Sequence, residues 1–182
     1  MSTPVPFETT RLVRDTCLCL HMQRAARALA RRFDEALRPV GLTNQQFSLL
    51  MALNRPEPTP MGPVAKLLAM DRTTLTAALK RLEWRELVKI ASAAADRRTR
   101  LLALTRAGER MLAAAVPIWQ ETHAAIESQL NGLAPDALRA ALAAASITAL
   151  SDEAAIPGDA VEEGRRQVSW RRYRSGARIR RR

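Results

Sequence analysis

The segment from Asp71 to Glu86 constrains the fold most strongly, because its residues divide between an apolar and a polar side. Asp71 belongs to the residue types that cap helix N-termini, and Leu75, Leu79 and Leu82 then recur at helical spacing. At about 100° per residue, the opposite side presents Thr73, Thr76, Ala77, Lys80 and Trp84, with Arg72 and Arg81 on its flanks. The pattern predicts a helix that packs its leucines inward and offers a basic, hydroxyl-rich side without an acid to a partner.

Local signals place further short elements around this helix. Thr43 with Gln46 has the pattern of a capping box and opens a helix, residues 57–60 are predicted as a proline-rich loop, and a short helix is predicted from about Pro60 to Leu68. After the central helix, apolar stretches at Leu87 to Ile90 and Thr99 to Leu104 predict a small β-hairpin. Its tip carries Asp96, Arg97, Arg98 and Arg100. This order of elements is the one expected for a winged helix-turn-helix.

Long helices are predicted at both ends of the folded part. Leu12 to Leu37 repeats apolar residues at helical spacing, Thr105 caps a second long helix that ends near Gly132, and Pro135 begins a last helix. Together they carry more apolar surface than one small winged lobe can cover, which predicts a two-fold dimer.

The predicted fold class is therefore mainly α with a small β-hairpin wing, a winged helix-turn-helix with long N- and C-terminal dimerisation helices. We assign residues 1–11 to an N-terminal arm, 12–42 and 105–156 to a helical dimerisation region, and 43–104 to a DNA-binding lobe. Residues 157–182 are predicted to be a basic, disordered tail, which either adds non-specific nucleic-acid affinity or is merely solvated.

The formal net charge of +11 makes a polyanion the first partner to consider, and its distribution refines that expectation. Residues 11–110 carry 19 basic and 9 acidic side chains, residues 111–156 carry 1 and 5, and residues 157–182 carry 9 and 3. Much of the positive charge thus lies in the tail, and the specific part is the cluster on the central helix and the hairpin.

Several classes of protein are excluded by composition. No apolar run approaches the roughly 18 residues of a membrane helix, and the N-terminus lacks the features of a secretory signal. The 2 cysteines cannot form a disulfide framework, and with 2 histidines the chain offers one weak candidate for a metal site and no catalytic constellation. We expect a soluble cytoplasmic protein that is not an enzyme and needs no cofactor and no metal.

The polar face of the central helix and the arginine-tipped hairpin suit double-stranded DNA. A major groove admits one helix, whose threonines, lysine and arginines reach phosphates and base edges, while the hairpin arginines lie along the backbone or in the minor groove. The predicted DNA-binding residues are Arg72, Thr73, Thr74, Thr76, Lys80, Arg81, Arg97, Arg98 and Arg100. The alternative is a solvated charged face on a helical bundle.

The same residues resemble a known family in five ordered motifs. These are GLTxxQF from Gly41, MDRTTLT from Met70, RLE from Arg81, DRR from Asp96 and LTxxG from Leu104, and together they look like the MarR family of transcriptional regulators. The resemblance covers about residues 12 to 150. It implies a homodimer in which the terminal helices interleave and hold two winged lobes over a palindromic operator.

Carried over by position, the resemblance implies a recognition helix at 71–86 and a wing at 91–100. Arg98 takes the place of the wing-tip arginine, and Asp96 that of a carboxylate that orients nearby arginines. Glu86 departs from the pattern, since the family has a glycine there, and the wing lacks a further acid before Asp96.

The sequence leaves open two mechanisms for switching DNA binding on and off. Cys17, Cys19 and His21 alternate at the start of the first helix and suggest an activated thiolate, an intersubunit disulfide or a soft-metal site shared across the dimer, whereas an intrachain disulfide is geometrically poor on a continuous helix. The alternative is that the cysteines are small buried hydrophobes and the histidine a satisfied core residue.

The competing switch is a pocket for a small aromatic or anionic effector, which family members often bind between the dimer helices and the lobe. Its predicted lining is Met22, Arg24, Trp119 and His123, although tryptophan at core spacing is more often packing. The predicted function is a homodimeric, sequence-specific regulator, a repressor, released by a small ligand or by cysteine oxidation. The alternative is a non-specific DNA-coating protein dominated by the arginine-rich tail.

Overall fold

The computed structural model describes residues 4–93, 96 and 98–147. It contains a mainly helical fold with one small antiparallel sheet, as the sequence predicted. The elements are α1 (Phe7–Thr16), α2 (Leu18–Leu37), a 3-10 turn (Arg38–Val40), α3 (Asn44–Leu53), β1 (Thr59–Pro60), α4 (Met61–Leu67), α5 (Arg72–Trp84), β2 (Val88–Ser92), β3 (Arg100–Leu104), α6 (Arg106–Glu127) and α7 (Pro135–Ile147). The described residues up to Pro135 form one compact unit, and α7, apart from its first residue, belongs to a second. The tail predicted at 157–182 lies outside the described residues, as does Arg97.

The three predicted helix N-caps are present. The hydroxyl of Thr43 accepts a hydrogen bond from the backbone N–H of Gln46, whose side chain in turn accepts from the N–H of Thr43, completing the capping box of α3. Asp71 caps α5, and Thr105 caps α6 by accepting from the N–H of Gly108.

The sheet has one strand more than the sequence predicted. β2 pairs with β3 from Val88 opposite Leu104 to Ser92 opposite Arg100, which is the predicted hairpin. Thr59 and Pro60, predicted as part of a loop, form β1 on the other side of β3, giving the order β1-β3-β2. The extra strand attaches the middle of β3 to the start of α4.

The core lies where α2, α3, α4, α5, α6 and the sheet meet. Its largest fully buried side chains are Leu37, Leu49, Leu50, Val64, Leu75, Leu79, Leu82 and Leu102. The three leucines predicted to face inward from α5 are all in this set, so the opposite side of that helix is held outward.

The long first helix predicted from Leu12 to Leu37 is wrong in one respect, because the chain breaks it at Cys17. That residue has φ −74° and ψ 106°, an extended conformation that ends α1 and caps α2. α1 also begins at Phe7, inside the segment assigned to an N-terminal arm. In this part of the described chain, α1 contributes no buried residue, and α2 buries only Phe33 and Leu37.

Glu86 adopts the left-handed conformation for which the family has a glycine. Its φ is 58°, and its N–H donates to the carbonyl of Glu83 at 2.8 Å. The glutamate therefore adopts the positive φ itself, at the conformational cost of an L residue in that region.

A search of the described residues finds no helix that is both long and apolar enough to span a membrane.

Candidate nucleic-acid interface

The outward side of α5 brings together most of the residues predicted to bind DNA. Arg72, Thr73, Thr76, Ala77 and Lys80 line one shallow depression of about 400 Å³. Arg72, Thr73 and Lys80 are exposed, whereas Thr76 is half-buried. The side predicted from residue spacing is thus a continuous accessible surface.

Two of the threonine hydroxyls donate hydrogen bonds within α5 or to its N-cap. The hydroxyl of Thr74 donates to Asp71 Oδ2 at 2.6 Å while its backbone N–H donates to Oδ1 at 2.8 Å. These bonds, the side-chain one foremost, hold the pKa of the Asp71 carboxyl below its usual range. Thr76 donates to the carbonyl of Arg72 at 2.6 Å. Thr74 therefore fixes the start of α5 through its cap, and Thr76 offers a partner its methyl group and hydroxyl lone pairs.

The far end of α5 is fixed by a contact that the sequence did not predict. Arg85 Nη1 donates to Gln46 Oε1 at 3.1 Å, so the capping residue of α3 also holds the residue that follows α5. This guanidinium faces the protein, which leaves Lys80 and Arg81 as the outward cations of the last turns.

The described part of the wing tip is organised by Asp96. Its carboxylate accepts from the backbone N–H of Arg98 at 2.9 Å and from the hydroxyl of Thr99 at 2.8 Å, and these bonds, the first one foremost, lower its pKa. Its carbonyl also accepts from the N–H of Thr99 at 3.0 Å. Asp96 thus positions the backbone that carries Arg98, whose side chain is exposed, as is that of Arg100.

The base of the wing is joined to α6 by Thr105. Its hydroxyl donates to the carbonyl of Glu86 at 2.6 Å, and its backbone N–H donates to the carbonyl of Leu87 at 3.1 Å. The recognition helix, the wing and α6 therefore meet at one set of backbone contacts.

An apolar cavity of about 410 Å³ lies between α3, α4 and α6. The residues that line it are Phe47, Ser48, Met51, Ala52, Leu67, Leu68, Val116 and Trp119. The ring of Trp119 stacks between Phe47 and His123, with centroid separations of 6.1 and 4.8 Å.

Of the four residues predicted to line an effector pocket, only Trp119 lines this cavity, and His123 stacks against its ring. Arg24 instead lines a separate shallow depression along α2 with His21, Arg27 and Arg31, and Met22 contributes to neither of these surfaces. The predicted pocket between the dimer helices and the lobe, with Met22 and Arg24 in its lining, stays a prediction.

The cysteines sit at the break between α1 and α2. In the single chain Cys17 is half-buried and Cys19 is exposed. Gln23 Nε2 lies 3.2 Å from Cys19 Sγ. Because Cys17 has left the helical conformation, the continuous helix that argued against an intrachain disulfide is not present.

A recognition helix held outward by its cap and by Gln46, followed by a three-stranded wing, defines a winged helix-turn-helix protein. A sequence model of the MarR family matches residues 40–99. The transcriptional repressor NicR of Pseudomonas putida is 36% identical over 76 residues, which cover 42% of this chain and 48% of NicR. The transcriptional activatory protein BadR of Rhodopseudomonas palustris is 31% identical over 97 residues, covering 52% and 55%. The chain thus spans about half the length of these curated relatives.

Solved structures extend the likeness over most of the chain. The regulator MosR of Mycobacterium tuberculosis, in complex with DNA, is 35% identical, with a TM-score of 0.67 over 73% of this chain and 96% of that one. The regulator BpsR of Bordetella bronchiseptica is 25% identical, with a TM-score of 0.63 over 82% of this chain and 100% of that one.

The chain therefore belongs to the MarR family. Members of this family are DNA-binding transcriptional regulators and not enzymes, which agrees with the sequence-based prediction.

Proposed function

We propose that this protein is a homodimeric, sequence-specific transcriptional repressor that binds a palindromic operator and releases it on binding a small effector or on oxidation of a cysteine. The observation that carries the proposal is the accessible side of α5, where Arg72, Thr73, Thr76 and Lys80 form one surface. The wing adds the exposed Arg98. The complex of the related regulator MosR with DNA supports the choice of partner.

The residues divide into groups with different tasks on DNA. Thr73 and Thr76 lie in the first turns of α5, the part of a recognition helix that reaches base edges, so they carry sequence preference. Arg98, on the wing, and Lys80 contribute charge toward phosphates, which adds affinity without reading sequence directly.

Dimerisation is supported by α1 and by the first turns of α2. Phe7, Leu12 and Leu18 are 71%, 61% and 71% exposed, and a helix of 10 residues that buries nothing is marginal on its own. A second copy of the chain covers such a surface and places two recognition helices about one helical turn of DNA apart, hence the palindrome.

We expect Arg98→Ala to weaken operator binding about tenfold and to lower the slope of log affinity against log salt by roughly 1, because one phosphate contact is lost. The operator is first selected from fragmented genomic DNA, and affinities are then measured by fluorescence anisotropy across a salt series. Arg110→Ala, at an exposed arginine on α6, is the matched control. If Arg98→Ala bound as tightly as the wild type at physiological salt, the wing assignment would be wrong.

Deletion of residues 157–182 separates a regulator from a non-specific DNA-coating protein. A regulator keeps its preference for the operator over random DNA, whereas a coating protein has no preference and loses most of its affinity with the tail. Repression is supported by the likeness to NicR, and a transcription assay from the bound promoter distinguishes it from activation, the role of BadR.

The cavity beside Trp119 supports release by a small aromatic effector. It is apolar, opens between α3, α4 and α6, and so touches both the winged lobe and the helix that leads out of it. The structure of BpsR concerns control of its DNA binding by 6-hydroxynicotinic acid, an aromatic anion of the predicted class.

The exposed thiol of Cys19 supports the second switch. A thiolate attacks a hydroperoxide, breaks its O–O bond and takes up one oxygen as sulfenic acid, while the rest of the peroxide leaves as water or an alcohol. A second thiol then attacks the sulfenic sulfur, displaces water and forms a disulfide. The α1–α2 break at Cys17 transmits such a change to α2.

Cysteine variants distinguish the two switches. If oxidation is the signal, peroxide releases wild-type protein from the operator, while Cys17→Ser and Cys19→Ser remain bound. Equal release of all three proteins contradicts the thiol switch, and a Trp119→Ala variant that no longer responds to 6-hydroxynicotinic acid would support the cavity instead.

A further inference from the structure

Trp84 is the most exposed of the large hydrophobic side chains in the described part of the chain, at 86%. It is the last residue of α5 and its side chain is far larger than those of the threonines and alanine beside it. An indole buries about 150–250 Å² when it finds a partner. A tryptophan left in water on a helix whose inner side is fully packed is thus an unused contact surface.

Its position continues the DNA-facing side of α5. At about 100° per residue, Trp84 lies within roughly 40° of both Lys80 and Thr73 around the helix axis. Along the axis it lies about 16 Å beyond Thr73, at 1.5 Å per residue. A major groove is only about 12 Å wide. When the first turns of α5 occupy the groove, Trp84 therefore reaches the sugar–phosphate backbone at the groove's edge.

We propose that Trp84 binds the DNA backbone beside the major groove, with its ring against deoxyribose and its indole N–H donating to a phosphate oxygen. This inference rests on the proposed DNA-binding function and adds a neutral contact to it. The neighbouring cation Arg85 is held inward by Gln46, whereas Trp84 is the large apolar side chain that this end of α5 exposes.

A neutral backbone contact has a distinctive signature. It releases no counterion, so removing it lowers affinity without changing the salt slope, and it reads no base, so the loss is equal on operator and unrelated DNA. Lys80→Ala is the matched comparison on the same side of the same helix, and it lowers the slope by roughly 1.

The test measures binding of wild type, Trp84→Ala, Trp84→Phe and Lys80→Ala to the selected operator and to an unrelated duplex of equal length, across a salt series. We expect Trp84→Ala to lose about tenfold on both duplexes with an unchanged slope, in the range of interface tryptophans, and Trp84→Phe to lose less. The difference in emission between wild type and Trp84→Phe isolates the fluorescence of Trp84, which DNA should protect from acrylamide quenching.

Equal affinity of Trp84→Ala and wild type on both duplexes would overturn the inference, and so would full quenching of Trp84 in the complex. Because the side chain is exposed, identical thermal unfolding of the variants shows that the fold is intact. A wild type without preference for any site would instead contradict the proposed regulator function, while the Trp84 contact is still measured on the unrelated duplex.

Discussion

Gly108→Ala is expected to lower the free energy of unfolding by about 3 kcal/mol or more, the upper range for overpacked sites. A Cβ at this buried position would overlap the carbonyl oxygen of Leu87 and lie 3.0 Å from its carbonyl carbon. That carbonyl also accepts the backbone N–H of Thr105 at 3.1 Å. Since both clashing groups are backbone, relief requires α6 to move away from the base of the wing and breaks this bond.

Thermal unfolding of wild type and variant at one protein concentration checks this prediction, with a fall in Tm of roughly 6–12 °C for a chain of this size. Gly62→Ala is the matched control, because nothing lies within 4 Å of a Cβ there and α4 gains helix propensity. It should be neutral or stabilising by up to about 1 kcal/mol. If Gly108→Ala were as stable as wild type, α6 and the carbonyl of Leu87 would have to lie farther apart than the structure places them.

Features encoded by near neighbours were predictable from the sequence. The caps at Thr43, Asp71 and Thr105 each depend on a hydrogen bond to a residue three positions later, and all three form as expected. The leucines of α5 are spaced for one buried side, which fixed the direction of the residues predicted to bind DNA.

Features that depend on distant pairing were not predictable. β1 exists because Thr59 pairs with Leu102, and a Thr-Pro pair preceded by a second proline gives no local strand signal. Arg85 and Gln46 meet across 39 positions, and the cavity beside Trp119 depends on how three helices pack. The break at Cys17 is also hidden, because the apolar residues on both sides continue a helical pattern.

Leu18→Glu is expected to convert the protein to a monomer and to reduce affinity for the full operator by 100-fold or more, since the second half-site is no longer bound in the same event. The leucine is 71% exposed in the single chain, so the substitution does not disturb the core. Glu at the first position of α2 is favoured by the helix dipole, which leaves the local helix intact. The loss therefore comes from burying an unpaired carboxylate in the interface.

Light scattering at micromolar concentration and binding to full and half operators measure the two effects separately. Gln23→Glu introduces the same charge on the same helix, roughly 140° around the axis from Leu18, and should remain dimeric. The Leu18→Glu monomer should bind a half-site with the affinity of one wild-type lobe, because α5 and the wing are unchanged. A Leu18→Glu protein that stays dimeric would show that α1 and the start of α2 are not the dimer interface. A wild type that is already monomeric would contradict the dimer itself, and with it the palindromic operator.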